Sequence, residues 1–233
     1  MGWRLAVLLV ALPTIATPEQ QPHHKAADQP QVLAPGYSVL RFPAPAARSY
    51  SLPSLGKAAD GVLLDSSGTP ATLHELYDDK TVVLSFIYTS CPDVNGCPLA
   101  TFVLSQDQQR LSSDESLADK VRLVSVSFDP ANDSPDVMAD YGDSFRRHDI
   151  DWRFLTTESE ERLAPILNDY DQAVIRDVGP DGELIGSMSH ILRVFLIDTN
   201  KHIRNIYSPS FLHPDILLAD ILTVTTDDLP IDQ

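Results

Sequence analysis

Thr81-Val82-Val83-Leu84-Ser85-Phe86-Ile87-Tyr88-Thr89-Ser90-Cys91-Pro92-Asp93-Val94-Asn95-Gly96-Cys97-Pro98 is the stretch on which the fold turns. Its first half is a nearly continuous apolar and β-branched run. Such a strand is buried on both faces and belongs at the centre of a sheet covered by helices. The chain then enters a loop bounded by two cysteines. Pro98 suits the first turn of the helix that follows to Leu111, because a missing N–H has no partner to lose there. The two cysteines therefore lie between a central strand and a helix start.

Working outward, Val121 to Phe128 reads as a second fully buried strand. Asp129-Pro130 ends it, and Ser134 is a candidate N-cap for a helix opening at Pro135 and running to about Arg147. A strand at Trp152 to Leu155 and a helix at Ser159 to Leu167 follow. Ala173 to Val178, a turn at Gly179-Pro180-Asp181-Gly182, and a strand at Ile191 to Ile197 continue the β pattern. Lys201 to Tyr207 makes a late hairpin partner, and His213-Pro214 starts a terminal helix to about Thr223. Before all of these, Gly61 to Asp65, Ser66-Ser67-Gly68 and Ala71 to Leu73 spell a strand, a turn and a short strand. Strands alternating with helices predict an α/β sandwich with a mixed sheet.

The outer parts read differently. Met1-Gly2-Trp3-Arg4, the apolar run Leu5 to Leu12, and Pro13 to Thr17 have the form of a secretory signal, expected over residues 1–17. The run is too short to span a bilayer, which takes about 20 apolar residues. Residues 18–54 carry Pro18, Pro22, Pro30, Pro35, Pro43, Pro45 and Pro53 and are expected as a loosely ordered linker, leaving residues 55–233 as the folded domain. An exported chain works where thiols can be oxidised, in a bacterium the periplasm. A net charge of -16 and a pI near 4.6 exclude nucleic-acid binding, which needs a basic footprint. A hydrophobic content of 43% excludes disorder throughout.

The chain has 2 cysteines, and a disulfide between Cys91 and Cys97 would close too short a loop to stabilise the fold much. Redox or metal chemistry is the better use of the pair. Backbone N–H groups at the helix start favour thiolate, which disulfide exchange and soft metals both require. Two thiolates suit Cu(I), and an added imidazole makes Cu(II) acceptable. Among 7 histidines, His190 is best placed to be that imidazole, after the small-residue run Gly186-Ser187-Met188-Ser189 and before an apolar strand. On position alone, a loop histidine with local hydrogen bonds remains the competing reading. Met188 could lend a thioether or simply fill the loop, and the His23-His24 pair could catch a metal transiently.

The residues resemble a family. Phe86-Ile87-Tyr88-Thr89-Ser90-Cys91-Pro92-Asp93-Val94, closed by Cys97-Pro98, is similar to the SCO/SenC signature YT-x-CPDVCP. Val124 to Pro135 resembles that family's SVDPERDTPE segment, Trp152 to Thr156 its WRFLTG, and Ser189-His190 its DH before a strand. The resemblance implies a thioredoxin-like mixed sheet flanked by helices, with an N-terminal hairpin and a late β-hairpin insertion. It implies one copper ion held by Cys91, Cys97 and His190, with Cys91 and Cys97 also serving as a redox pair. The implied partners are a copper-receiving oxidase subunit or other cuproprotein and a thiol reductant, the copper going to the binuclear site of cytochrome c oxidase. Asp129 and Asp133 would shape the loops, and Tyr88 would line the site; a turn, a helix N-terminal acid and core packing are the alternatives.

Two departures stand out. The family has three residues between its cysteines, and this chain has Pro92 to Gly96; Ser189 replaces the family's Asp. Asn95-Gly96 has turn chemistry, so the longer spacer is expected to return Cys97 toward Cys91. The rival readings are a metal-independent thiol–disulfide oxidoreductase, and a copper sensor, buffer or adaptor without catalysis.

Overall fold

The computed structural model describes residues 31–145, 150–182 and 184–227. The expected signal segment, residues 18–30 of the proline-rich linker with His23-His24, and His148 lie outside the described residues. The chain divides into a unit Met1–Val32 and a unit Leu33–Gln233, and every element below belongs to the second.

Ten strands and six helices follow in chain order: β1 (Gly56–Lys57), β2 (Val62–Leu64), β3 (Pro70–Thr72), α1 (Leu73–Tyr77), β4 (Thr81–Ile87), α2 (Cys97–Ser112), α3 (Glu115–Ala118), β5 (Val121–Ser127), α4 (Pro135–Asp143), β6 (Asp151–Leu155), α5 (Glu160–Asp169), β7 (Val174–Val178), β8 (Leu184–His190), β9 (Val194–Ile197), β10 (His202–Tyr207) and α6 (Pro214–Asp227). The main sheet has the order β1-β10-β9-β4-β5-β6. β4, β5 and β6 run parallel, whereas β9 lies antiparallel to β4 and β10 antiparallel to β9. This is the thioredoxin-like mixed sheet the sequence implies, with β2–β3 as the early hairpin and β7–β8 as a separate two-stranded ribbon.

Every residue of β4 and β5 is buried, as their predominantly apolar runs suggest. Burying side chains such as Val82, Leu84 and Phe86 contributes about 1.5–3 kcal/mol each. Ser85 of β4 and Ser125 of β5 face one another in register and share a hydrogen bond of 2.9 Å, so neither hydroxyl is orphaned. The Trp152 indole N–H on β6 also donates to Ser125 Oγ at 3.1 Å. Helix α4 is capped as expected, Ser134 Oγ accepting from Val137 N at 3.4 Å, but it ends at Asp143 rather than near Arg147.

The folded unit begins earlier than the sequence suggested. Residues 34–54 have almost no regular structure, yet they are docked through backbone and tyrosine groups. Arg48 N donates to Thr223 Oγ1 on α6 at 2.9 Å, the Tyr50 hydroxyl donates to Asp220 on the same helix, and Arg204 Nε on β10 donates to the Leu52 carbonyl at 2.8 Å. Prolines made this segment look like a linker, but they only prevent it from being a helix or an inner strand. They leave extended chain free to pack.

Candidate metal centre

Strands β4 and β5 end side by side, and each is followed by an aromatic residue, Tyr88 and Phe128, whose backbone stays tied to the sheet: Phe128 N donates to the Ile87 carbonyl at 2.8 Å. Open α/β sheets place ligands outside the carboxyl ends of such strands. Here the chain turns from β4 into the cysteine loop, and Asp133 fixes the turn. Its buried carboxylate accepts from Thr89 N at 3.1 Å, Thr89 Oγ1 at 2.5 Å and Ser127 Oγ at 2.5 Å. Asp133 is thus a loop-shaping residue joining the ends of β4 and β5.

Cys97 is the first residue of α2, one position earlier than the sequence suggested, and is 1% exposed. Cys91 sits in the loop, partly exposed. The longer spacer does fold into a local turn, Gly96 N donating to the Asp93 carbonyl at 2.9 Å and Asn95 N to Asp93 Oδ1 at 3.0 Å.

The structure corrects the surroundings of His190. The small-residue run before it is a strand, not a loop: Leu184–His190 is β8, and His190 is its last residue, paired with Val174 on β7. The strand expected from Ile191 is only Val194–Ile197. His190 Nε2 lies 3.6 Å from Cys91 Sγ and 3.6 Å from Cys97 Sγ. All three ligand atoms lie within 4.8 Å of one another, and both cysteines are free thiols. Using bond lengths typical of zinc, about 2.3 Å to sulfur and about 2.0 Å to nitrogen, a trigonal ion sets the S···N separation at about 3.7 Å. The donor set and its spacing fit a soft or borderline cation with little movement.

The two sulfurs are not equivalent. A hydrogen bond from the Cys97 thiol, opposed by burial and assisted by His190, lowers the Cys91 thiol to about 4. Burial, with the neighbouring Cys91 charge, pushes Cys97 up despite its place at a helix start. Desolvation outweighs the helix dipole at Cys97, so the pair holds its negative charge on the more exposed sulfur. That makes Cys91 the more nucleophilic sulfur of the two.

Aromatic rings wall the site. The imidazole of His190 stands edge-on to Tyr88 with centroids 5.8 Å apart, and tilted against Phe128 at 4.9 Å. Burial and the Cys91 charge push the Tyr88 hydroxyl up to about 12. Met188, two residues before His190 on β8, is buried and lines a groove with Phe128, Leu163, Val174 and Arg176, which is the filling role. His74, His202 and His213 take local partners away from the sulfurs, at Ala58 and Asp60, Asp198, and Ser38.

Sequence reasoning missed what holds the β7–β8 ribbon. Arg176 on β7 reaches Asp129 Oδ1, just beyond the end of β5, at 3.1 Å and also pairs with Glu160 on α5. Asp129 is 2% exposed, so its charge needs this partner. An arginine in a short edge ribbon carries no sequence signal for such a reach. Ser189, standing where the family has Asp, donates to Asp177 Oδ1 at 2.9 Å, so a carboxylate still lies beside the histidine strand.

Known proteins are similar to this chain. The SCO1/SenC family model matches residues 58–226. The SCO1 protein homolog of Bacillus subtilis is 24% identical over 142 residues, covering 60% of this chain and 69% of its own. The structure of Bradyrhizobium japonicum ScoI with copper bound is 26% identical with a TM-score of 0.59, covering 72% of this chain and 99% of its own. BsSco, a member of the Sco family of cytochrome c oxidase assembly proteins in which a disulfide switch was identified, shares the fold at 22% identity, with a TM-score of 0.60 over 76% of this chain and 99% of its own. The family model's match over most of the chain leads to one assignment: the chain belongs to the SCO1/SenC family.

Proposed function

We propose that this protein is an exported copper metallochaperone that binds one copper ion through Cys91, Cys97 and His190 and delivers it to the binuclear copper site of a respiratory oxidase. The observation that carries the reading is the imidazole nitrogen standing 3.6 Å from each sulfur, with one sulfur already thiolate. Two thiolates and a neutral imidazole form a set that accepts both Cu(I) and Cu(II). A half-exposed Cys91 gives an acceptor protein a way to take the metal by ligand exchange. The copper-bound relative and the family's place in oxidase assembly support the copper and the recipient. The signal-like residues 1–17 support export, and no helix among the described residues is long and apolar enough to cross a membrane.

Titrating the reduced chain with Cu(I) and Cu(II), read by charge-transfer absorption, is expected to end at one equivalent. His190→Ala is expected to abolish the Cu(II) bands while the fold survives; an unchanged Cu(II) titration in that variant would remove His190 from the ligand set.

A second reading shares the same atoms. The Cys91 thiolate with buried Cys97 as resolving thiol suits reduction of an acceptor's disulfide. Two electrons would pass to the acceptor as Cys91 and Cys97 become a disulfide, and an external thiol reductant would restore them. Rapid insulin reduction by the metal-free chain, undiminished in His190→Ala, would favour that reading over metal delivery.

A further inference from the structure

Two features of this chain stand outside the family pattern, and they touch each other. The family match begins at residue 58, so residues 33–38 lie before it; the cysteine spacer Pro92 to Gly96 is longer than the family's. Ala34 N donates to Asn95 Oδ1 at 2.7 Å, and the Tyr37 hydroxyl donates to the Val94 carbonyl at 2.5 Å. Both acceptors belong to the spacer, at the two central positions of its turn.

The segment that makes these bonds is itself firmly seated. The Tyr37 ring lies against Phe102 of α2 with centroids 5.0 Å apart. Gly36 is packed so closely that a Cβ would meet Leu99 Cδ1 at 2.9 Å and collide with the Leu212 carbonyl. His213 Nε2 is hydrogen-bonded to the Ser38 carbonyl at 2.8 Å. Residues 34–38 therefore bind the spacer to α2 and to the turn before α6.

That attachment bears on one cysteine more than the other. Cys97 is fixed by being part of α2. Cys91 is outside any element, its backbone tied by a single 3.3 Å bond from its N–H to the Tyr88 carbonyl. A longer spacer has more conformations to lose when Cys91 is brought to its partners. Tying the spacer down removes that freedom before any ligand arrives, which preserves affinity.

We infer that Ala34–Ser38 is a positioning strap: through Tyr37 and Asn95 it holds the lengthened spacer in the conformation that presents Cys91 to Cys97 and His190. The inference deepens the metal-carrier reading but does not depend on it, since a dithiol needs the same alignment. Each strap bond is a modest contact of about 0.5–1.5 kcal/mol, or about two- to tenfold. Tyr37→Phe removes one bond while keeping the ring on Phe102; Asn95→Ala removes the other.

The test compares the full chain with both single variants and the double variant in three ways: Cu(I) release to a chelator, amide exchange over residues 91–97 in reduced metal-free protein, and alkylation of Cys91. The strap predicts release about two- to tenfold faster per bond lost, faster exchange confined to 91–97, and altered Cys91 alkylation, with exchange in β4 unchanged. A double variant that keeps the parent's exchange and alkylation overturns the strap, as does a rise in exchange spread evenly through the sheet. Should the unaltered chain take up no Cu(I), the metal reading falls, and exchange and alkylation alone decide the strap.

Discussion

The sulfurs and the imidazole come from regions of opposite character. Cys91 and Cys97 follow β4, a strand buried at every residue and bonded on both sides. His190 ends β8, which among the described residues pairs only with β7, in a two-stranded ribbon that exposes Ile175 and Val178 at 65% and 59%. An isolated two-stranded hairpin is marginally stable at best in water. Among the described residues, the groups that hold the ribbon to the rest include the Tyr88 and Phe128 rings around His190, Arg176 reaching Asp129 and Glu160, and Met188 and Val174 packed on the hydrophobic core. One half of the site is built into the sheet, and the other is pinned to it.

The largest expected effect breaks the built-in half. Cys97→Ser replaces a soft donor at a buried position and is expected to weaken Cu(I) binding by more than about a hundredfold, beyond the ten- to hundredfold typical of disturbing a ligand's support. Chelator competition measures it, and retained Cu(I) affinity would mean that the buried sulfur is not a ligand.

Next, Arg176→Ala unpins the other half. It leaves the Asp129 carboxylate buried without its guanidinium, and losing a charge-assisted bond of this kind costs about 1.5–3 kcal/mol. Copper affinity is expected to fall about tenfold and amide exchange to rise across β7 and β8, with β4 and β5 unchanged and with partial rescue by Arg176→Lys. Equal exchange in ribbon and sheet would erase the contrast between the two regions.

The smallest effect concerns the rigid half alone. Asp107 on α2 is 0% exposed and lacks a hydrogen-bond partner for either oxygen, and burial holds its carboxyl well above the usual range. Arg110, 3.9 Å away and partly exposed, offsets this only in part. A raised folded-state pKa stabilises below the unfolded value and loses that contribution as pH rises through the folded one. Asp107→Asn is therefore expected to stabilise the protein by about 1 kcal/mol at neutral pH, with the gain fading toward pH 4. Denaturant unfolding at several pH values checks this; a gain that grows on acidification contradicts it.

The same contrast explains what the sequence made legible. β4 and β5 announce themselves because full burial favours predominantly apolar runs, and the cysteine loop follows from the end of β4. β8 was hidden because Gly186-Ser187-Met188-Ser189 has little intrinsic strand preference; its strand character comes from pairing with β7, a tertiary fact. Residues 34–54 were misread because they dock through backbone groups such as Ala34 N and the Leu52 carbonyl, which no side-chain pattern reports. The Cys97 proton was misplaced because helix starts are visible in sequence and burial is not. His190 is picked out by its place before an apolar strand, and the family resemblance decides it over a loop histidine with local hydrogen bonds.

X-ray absorption at the copper edge of Cu(I)-loaded protein tests the central claim most directly. Two sulfur neighbours at about 2.3 Å and one nitrogen at about 2.0 Å are expected, the nitrogen vanishing in His190→Ala. A shell of sulfur alone in the parent chain, identical in the variant, would contradict convergence of the ribbon and the sheet on one ion.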